Sequence, residues 1–319
     1  MINLKTVPPR GVLSTTHDAS RFRHLRVIPA ESLRPFVEHF WIVVWESDDG
    51  VSHEVETLPH PSVHVTVETG HSGIGGVRHG RFVRQLEGYS RVFGIKFRPG
   101  GFYPFIQTPV STLSDKVVPL TRYFADDGIA YEQRMLAAQT DDERVAVAES
   151  FLLARLPARD AEVEHITLLV ERIIDDRTIT RVEQLADECG LLVRTLQRRF
   201  TRYVGVSPKW VIQRYRLHDA IARVAEGQTV NWATLALRLG YFDQPHFIRD
   251  FKTLVERTPG EYAEHCQATL GGKEGDHACS SLPLQTTSGR DTDLAGHDRR
   301  EAERWRRRAK LYGPLTDDR

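Results

Sequence analysis

Arg194, Arg198 and Arg202 recur every four residues in LVRTLQRRFTRYVG, with Gln197 and Arg199 beside them. At 3.6 residues per turn that spacing sets the three guanidiniums in one row, opposite Val193, Leu196, Phe200 and Tyr203. Guanidinium forks and carboxamides are the groups that bond bidentately to base edges in a major groove. A second row lies further along, where Pro245, Arg249 and Lys252, flanked by His246 and Ile248, stand opposite Phe247, Phe251 and Leu254. A short helix with an apolar inner face and a basic outer one is suited to lying in a DNA groove, its inner residues fixing its pose. The charge is local. The chain as a whole carries 43 basic and 43 acidic residues, yet between Glu188 and Asp219 it has no acid, only Arg194, Arg198, Arg199, Arg202, Lys209, Arg214 and Arg216.

The elements that must position these rows are legible on either side of them. Trp232, Leu235, Ala236 and Leu239 recur at i, i+3, i+4 and i+7, Gly240 turns the chain, Asp243 caps the next helix, and Pro245 falls in its first turn. Pro259-Gly260 reads as the stop. The earlier unit repeats the plan, with a stripe of Val182, Leu185, Ala186 and Cys189 and a turn at Gly190. Ser207-Pro208 opens a helix running to Gly227 between the units, with Trp210, Val211, Leu217, Ile221, Val224 and Ala225 as its apolar arc and Lys209, Arg216 and Arg223 as an opposing basic stripe, either solvated or in contact with phosphates.

RTLQRRF followed by GVSPKW, then LALRLGYFDQPHFIRDFK and RTPGEY, resembles the AraC/XylS family of bacterial transcription regulators, over roughly Glu164 to His265, about a third of the chain. The resemblance implies two helix-turn-helix units joined by one long helix, with recognition helices near 193–204 and 243–255. It also implies base reading by Arg194, Gln197 and Arg198 in the first unit and by Gln244, His246 and Arg249 in the second. Arg202 and Lys252 add to the same faces. One departure stands at Leu192, where members of the family often carry a serine. A leucine side chain cannot cap, which costs on the order of 1 kcal/mol.

The chain, 319 residues with 40% hydrophobic content, is long enough for two domains and a tail. It shows no apolar run of membrane-spanning length and no signal-peptide core, so a cytoplasmic location is expected. Cys189, Cys266 and Cys279 are too few and too scattered for a disulfide framework, and Cys189 reads as core. The expected division is a poorly ordered stretch at 1–25, a β-rich sensory or dimerisation domain at 26–156, a linker at 157–163, the DNA-binding domain at 164–266 and a low-complexity tail at 267–319 with a basic segment around Trp305.

FWIVVW, VHVTVE, Gly80 to Leu86 and Val92 to Phe97 read as strands, with RPGG at Arg98 to Gly101 as a turn. A cupin-like barrel or sandwich is the expected architecture, giving an α+β fold class overall. DDERVAVAESFLLARL reads as a helix that Asp141 caps, with Val145, Ala148, Leu152 and Leu156 on one face. Trp41, Trp45, Tyr89 and Phe102 are core or pocket lining, and Trp41, His64 and Arg98 are the candidate contacts to a small-molecule effector, the guanidinium for an anionic one. His53, Glu54, His60 and His64 lack the two-residue histidine spacing of a cupin metal site, so no metal or other cofactor is expected.

The leading function is sequence-specific regulation of transcription on double-stranded DNA. Expected with it are a small-molecule effector, a homodimer through the N-terminal domain, RNA polymerase as partner if the chain activates, and no membrane. The alternatives are an architectural DNA binder without sequence readout and a cupin-like metalloenzyme fused to a DNA-binding domain. An alkylation-repair activity needs a cysteine in the N-terminal half, and none precedes Cys189. The chain is expected not to be an enzyme.

Overall fold

The computed structural model describes residues 4–5, 12–15, 22–47, 53–225 and 231–264. The β-branched and aromatic runs become the centre of an N-terminal sheet. β4 (Val37–Glu46) pairs antiparallel with β9 (Tyr89–Phe97) on one side and with β3 (Phe22–Val27) on the other. β1 (Leu4–Lys5) extends the β3 edge, while β6 (His64–Val67), β7 (Gly73–Gly75) and β10 (Val117–Val118) extend the β9 edge, giving the order β1-β3-β4-β9-β6-β7-β10. A second sheet has the order β2-β5-β8, from β2 (Val12–Thr15), β5 (His53–Thr57) and β8 (Phe82–Leu86).

Period-two alternation then divides the faces. Phe40, Ile42, Val65, Val67, Phe93 and Ile95 face a core completed by α2 (Thr121–Ala137) and α3 (Asp141–Leu153), after a short α1 (Tyr103–Ile106). Trp45 and Val92 meet Leu86 of the small sheet on the other face, with Trp41, Val43 and Val55 around them. Trp45 and Phe102 are core, whereas Tyr89 is exposed.

Three expectations change here. Of the first 25 residues, the described segments 4–5, 12–15 and 22–25 lie in strands, since β1 pairs with β3 and β2 with β5; strands of two and four residues draw their stability from partners distant in sequence, which local patterning does not show. Thr140, not Asp141, caps α3, in a reciprocal capping box with Glu143, and Leu156 lies beyond the helix and exposed. The expected linker already contains the start of α4 (Ala161–Asp175), because the Asp160 carboxylate accepts the Glu162 amide at 2.8 Å.

Then come α5 (Val182–Cys189), α6 (Val193–Tyr203), α7 (Pro208–Ala225), α8 (Trp232–Arg238) and α9 (Gln244–Val255). They form two cores. Ile166, Leu169, Ile173, Leu185, Leu196, Phe200 and Val211 make the first, and Leu217, Ile221, Leu235, Phe247, Phe251 and Leu254 the second, so α7 contributes to both. The N-terminal region contributes as well, for Val77 is buried in the first core and Leu58 in the second. Pro259-Gly260 is not a stop. Residues 259–264 are helical, opened by a reciprocal pair between Thr258 and Glu261, and Tyr262 packs edge-on against Phe251. The tail, with Cys279 and the basic segment around Trp305, lies outside the described residues, as does Cys266. No described helix is long and apolar enough to cross a membrane.

Candidate nucleic-acid interface

Each recognition helix is set by the turn that precedes it. Gly190 and Gly240 both adopt the left-handed conformation, φ 66° and 80°, which a side chain disfavours. A Cβ at Gly190 meets nothing within 4 Å, but one at Gly240 lies 2.6 Å from Thr180 Cβ. Gly240→Ala is therefore expected to destabilise more than Gly190→Ala, which bears only the conformational cost of about 1–2 kcal/mol. Thermal unfolding of the two variants decides it, and equal losses would remove the turn's contact with Thr180 from the account.

Asp243 caps α9 as its sequence predicts, its carboxylate accepting the His246 amide at 2.7 Å. Leu192 gives α6 no side-chain cap, leaving its first amides without that partner. The inner faces are closed, with Leu196, Phe200, Phe247, Phe251 and Leu254 all buried. On the outer faces Arg194, Gln197, Arg198, Arg202, Arg249 and Lys252 are exposed, and Gln244 and His246 half-buried. His246 lies 3.7 Å from Asp250, and its ring packs edge-on against Tyr241.

The basic interval around α6 and α7 is less open than its composition suggests. Arg202 donates from Nε to the Tyr103 hydroxyl at 2.7 Å and lies over the Tyr103 ring, so the N-terminal region holds one of the candidate DNA contacts. Arg199 pairs with Glu162 at 3.3 Å. Arg214 is buried over the Trp210 ring and donates to the His79 carbonyl, and burial lowers its pKa to about 10. Arg216 is neither a solvated residue nor a phosphate contact. It is 1% exposed and donates to the carbonyls of Ile173, Asp176 and Ile179 and to the Asp219 carboxylate. It thereby satisfies carbonyls that the end of α4 leaves open. Lys209 is exposed, and the Arg223 side chain lies outside the described residues.

The candidate effector contacts are not gathered at one place. Trp41 Nε1 donates to His64 Nδ1 at 3.3 Å, on the sheet face where Gly94 makes room for the indole. Arg98 turns elsewhere: its Nε donates to the Arg34 carbonyl at 2.7 Å and its Nη1 stands 3.6 Å from Glu171 of α4, so it ties the two halves. No group of three or more metal-ligating side chains occurs among the described residues, and the side chains of His53 and Glu54 lie outside them. Burial pushes the Cys189 thiol up to about 12, in keeping with a core cysteine.

Residues 185–265 match the family model of a helix-turn-helix domain. The C-terminal unit is an AraC-type helix-turn-helix domain. A domain of that type binds DNA, which makes the chain a DNA-binding regulator of transcription. Residues 25–119, ahead of the AraC-type domain, match a domain of unknown function, DUF6597. Solved structures of ToxT from Vibrio cholerae are similar at low level. The P21 form is 13% identical over 83% of this chain and 97% of that one with a TM-score of 0.31, and the unsaturated fatty acid-bound wild-type protein of strain SCE256 is 11% identical over 82% and 97% with a TM-score of 0.32. Likeness of that degree transfers neither a domain arrangement nor a ligand.

Sequence reading missed Tyr103, the inward place of Arg216 and the pairing of His60 with His218, whose rings meet edge-on at 5.2 Å between the sheet and α7. One signal was present for Arg216. Asp219, the first acid after the basic interval, stands three residues on, where a helix brings the two side chains together.

Proposed function

We propose that this AraC-type regulator reads a specific DNA site in two parts, with α6 and α9 entering successive major-groove segments about 34 Å apart on one face of the duplex. The observation that carries the reading is the division of the two helices, each buried on its Phe/Leu face and open on its Arg/Gln face, with α7 shared by both cores. Arg194, Gln197 and Arg198 read bases in one half, and Gln244, His246 and Arg249 in the other. Lys252 contacts phosphate, and Arg202 joins the interface when Tyr103 releases it. The N-terminal sandwich acts as the sensory part, and a small-molecule effector acts by favouring one of two arrangements of the chain.

Selection of genomic fragments by the full-length chain at physiological salt supplies the site. Arg198→Ala and Arg249→Ala are each expected to weaken binding to it by about 5- to 150-fold, from the 1–3 kcal/mol of a bidentate base contact. Binding to unrelated DNA falls far less. Equal losses on both DNAs mean that the two arginines hold phosphates, and the architectural alternative then accounts for the protein better.

A further inference from the structure

Two large apolar side chains stand in solvent beside the turns of the two helix-turn-helix units, Leu192 at the N-cap of α6 and Phe242 one residue before the N-cap of α9. Leu192 is 77% exposed and Phe242 90%, the two most exposed large apolar side chains among the described residues. Each comes two residues after the left-handed glycine of its turn, Gly190 or Gly240. In each turn the apolar residue between packs inward, Leu191 against the first core and Tyr241 within the second. The two turns therefore share a pattern of glycine, apolar side chain in, apolar side chain out.

What lies around them says what they meet. Leu192 immediately precedes α6 and Phe242 precedes Asp243, the cap of α9, so both stand at the end of a recognition helix that leads into the groove. Arg194, Gln197 and Arg198 continue from the first on the exposed face, and Gln244 and Arg249 from the second. At that edge of a major groove the apolar feature of DNA is the C5 methyl of thymine, the contact by which an apolar side chain distinguishes thymine from cytosine. A capping serine at position 192 would offer nothing to a methyl group.

We infer that Leu192 and Phe242 are specificity-determining residues that pack on thymine methyls, one in each half of the DNA site. The inference rests on the two-part reading proposed above. It requires at least one thymine in each half-site at the edge met by the helix N-terminus. Because no charge is involved, the contact contributes to affinity without contributing to its salt dependence.

The test is a coupling measurement on the full-length chain and its selected site. Leu192→Ser and Phe242→Ser are each expected to weaken binding to that site roughly fourfold, the worth of one buried methyl, with the salt slope and the affinity for unrelated DNA unchanged. Replacing thymine by deoxyuridine in the matching half removes the methyl alone. It should weaken the wild-type chain by the same factor and the matching variant hardly at all. Misfolding does not imitate this result, since Leu192→Ser supplies the missing cap and should raise the melting temperature, and Phe242→Ile should restore affinity on the thymine site only. If deoxyuridine weakens wild type and variants equally, or neither serine variant binds more weakly, the inference is overturned while the regulator reading stands. If the wild-type chain selects no site at all, both fall together.

Discussion

Arg216→Met is expected to destabilise the AraC-type domain by on the order of 3–5 kcal/mol, although it removes a charge and keeps most of the side-chain volume. The guanidinium is buried and bonded to three backbone carbonyls and to Asp219, the last at 3.0 Å. Methionine leaves those carbonyls facing a thioether with no water to replace the donor, and a carboxylate left with Arg177 at 3.5 Å among the described residues. Lysine is expected to recover little, because one ammonium cannot reach both the Ile173–Asp176 end of α4 and Asp219 in the fixed fork that guanidinium provides. Urea unfolding of the three proteins at one pH measures this. A methionine variant within about 0.5 kcal/mol of wild type would show that the end of α4 finds its partners elsewhere.

Acidification from pH 6.5 to 5 should destabilise the native chain steeply, ahead of the range in which carboxylates titrate. Burial, the first cause in each case, lowers His64 and His218 to about 3 and His24 and His165 to about 4, from an ordinary value of 6.5. His60 is held well below 6.5 in the same way. Around His60 stand Lys96 and Glu38 of the sheet, His64 beside Trp41, and Tyr215 and His218 of α7, with Arg214 acting on His218 in turn. The cations add to the effect of burial, and Glu38 opposes it.

Each of these imidazoles is neutral in the folded chain and charges on unfolding below pH 6.5, so the unfolded state binds more protons there. Stability is thus complete above about pH 6.5 and falls by up to about 1.4 kcal/mol per pH unit for each histidine as the pH drops toward the folded values. Urea midpoints at half-unit intervals, with a His60→Phe/His218→Phe variant alongside, give the outcome. The variant's curve should be the flatter of the two, and a wild-type midpoint unchanged between pH 6.5 and 5 contradicts buried neutral histidines.

The helical half of the fold was legible because its signals are local. Gly190, Gly240 and Asp243 each act within a few residues of themselves, and the stripes through Leu196 and Phe200 or Phe247 and Phe251 report one helix face at a time. What escaped depends on which other element arrives. Arg198 and Arg216 are the same residue type in the same basic interval, yet one is exposed on α6 and the other is inside because the end of α4 meets α7 there. Arg202 has the period of its neighbours, but its place beside Tyr103 is decided ninety-nine positions away. In the β-rich half β4 and β9 announced themselves by composition, whereas β1 and β2 exist through pairing with residues that follow them. The exposed faces of α6 and α9 were foreseen; what meets Arg98 or Trp41 was not, since a side chain's type says what it can bond and its partner's position says what it does.

Leu58 and Val77 carry a consequence for how such a chain can be recombined. Both come from the N-terminal half, and each is buried in the core of a different helix-turn-helix unit. A graft of residues 164–264 onto another N-terminal half therefore inherits two apolar sockets that the new partner must plug with side chains of matching size. Exchange of whole domains at the nominal boundary is then a poor route to new regulators from this scaffold, and successful chimeras should carry the loops around Leu58 and Val77 along with the DNA-reading half.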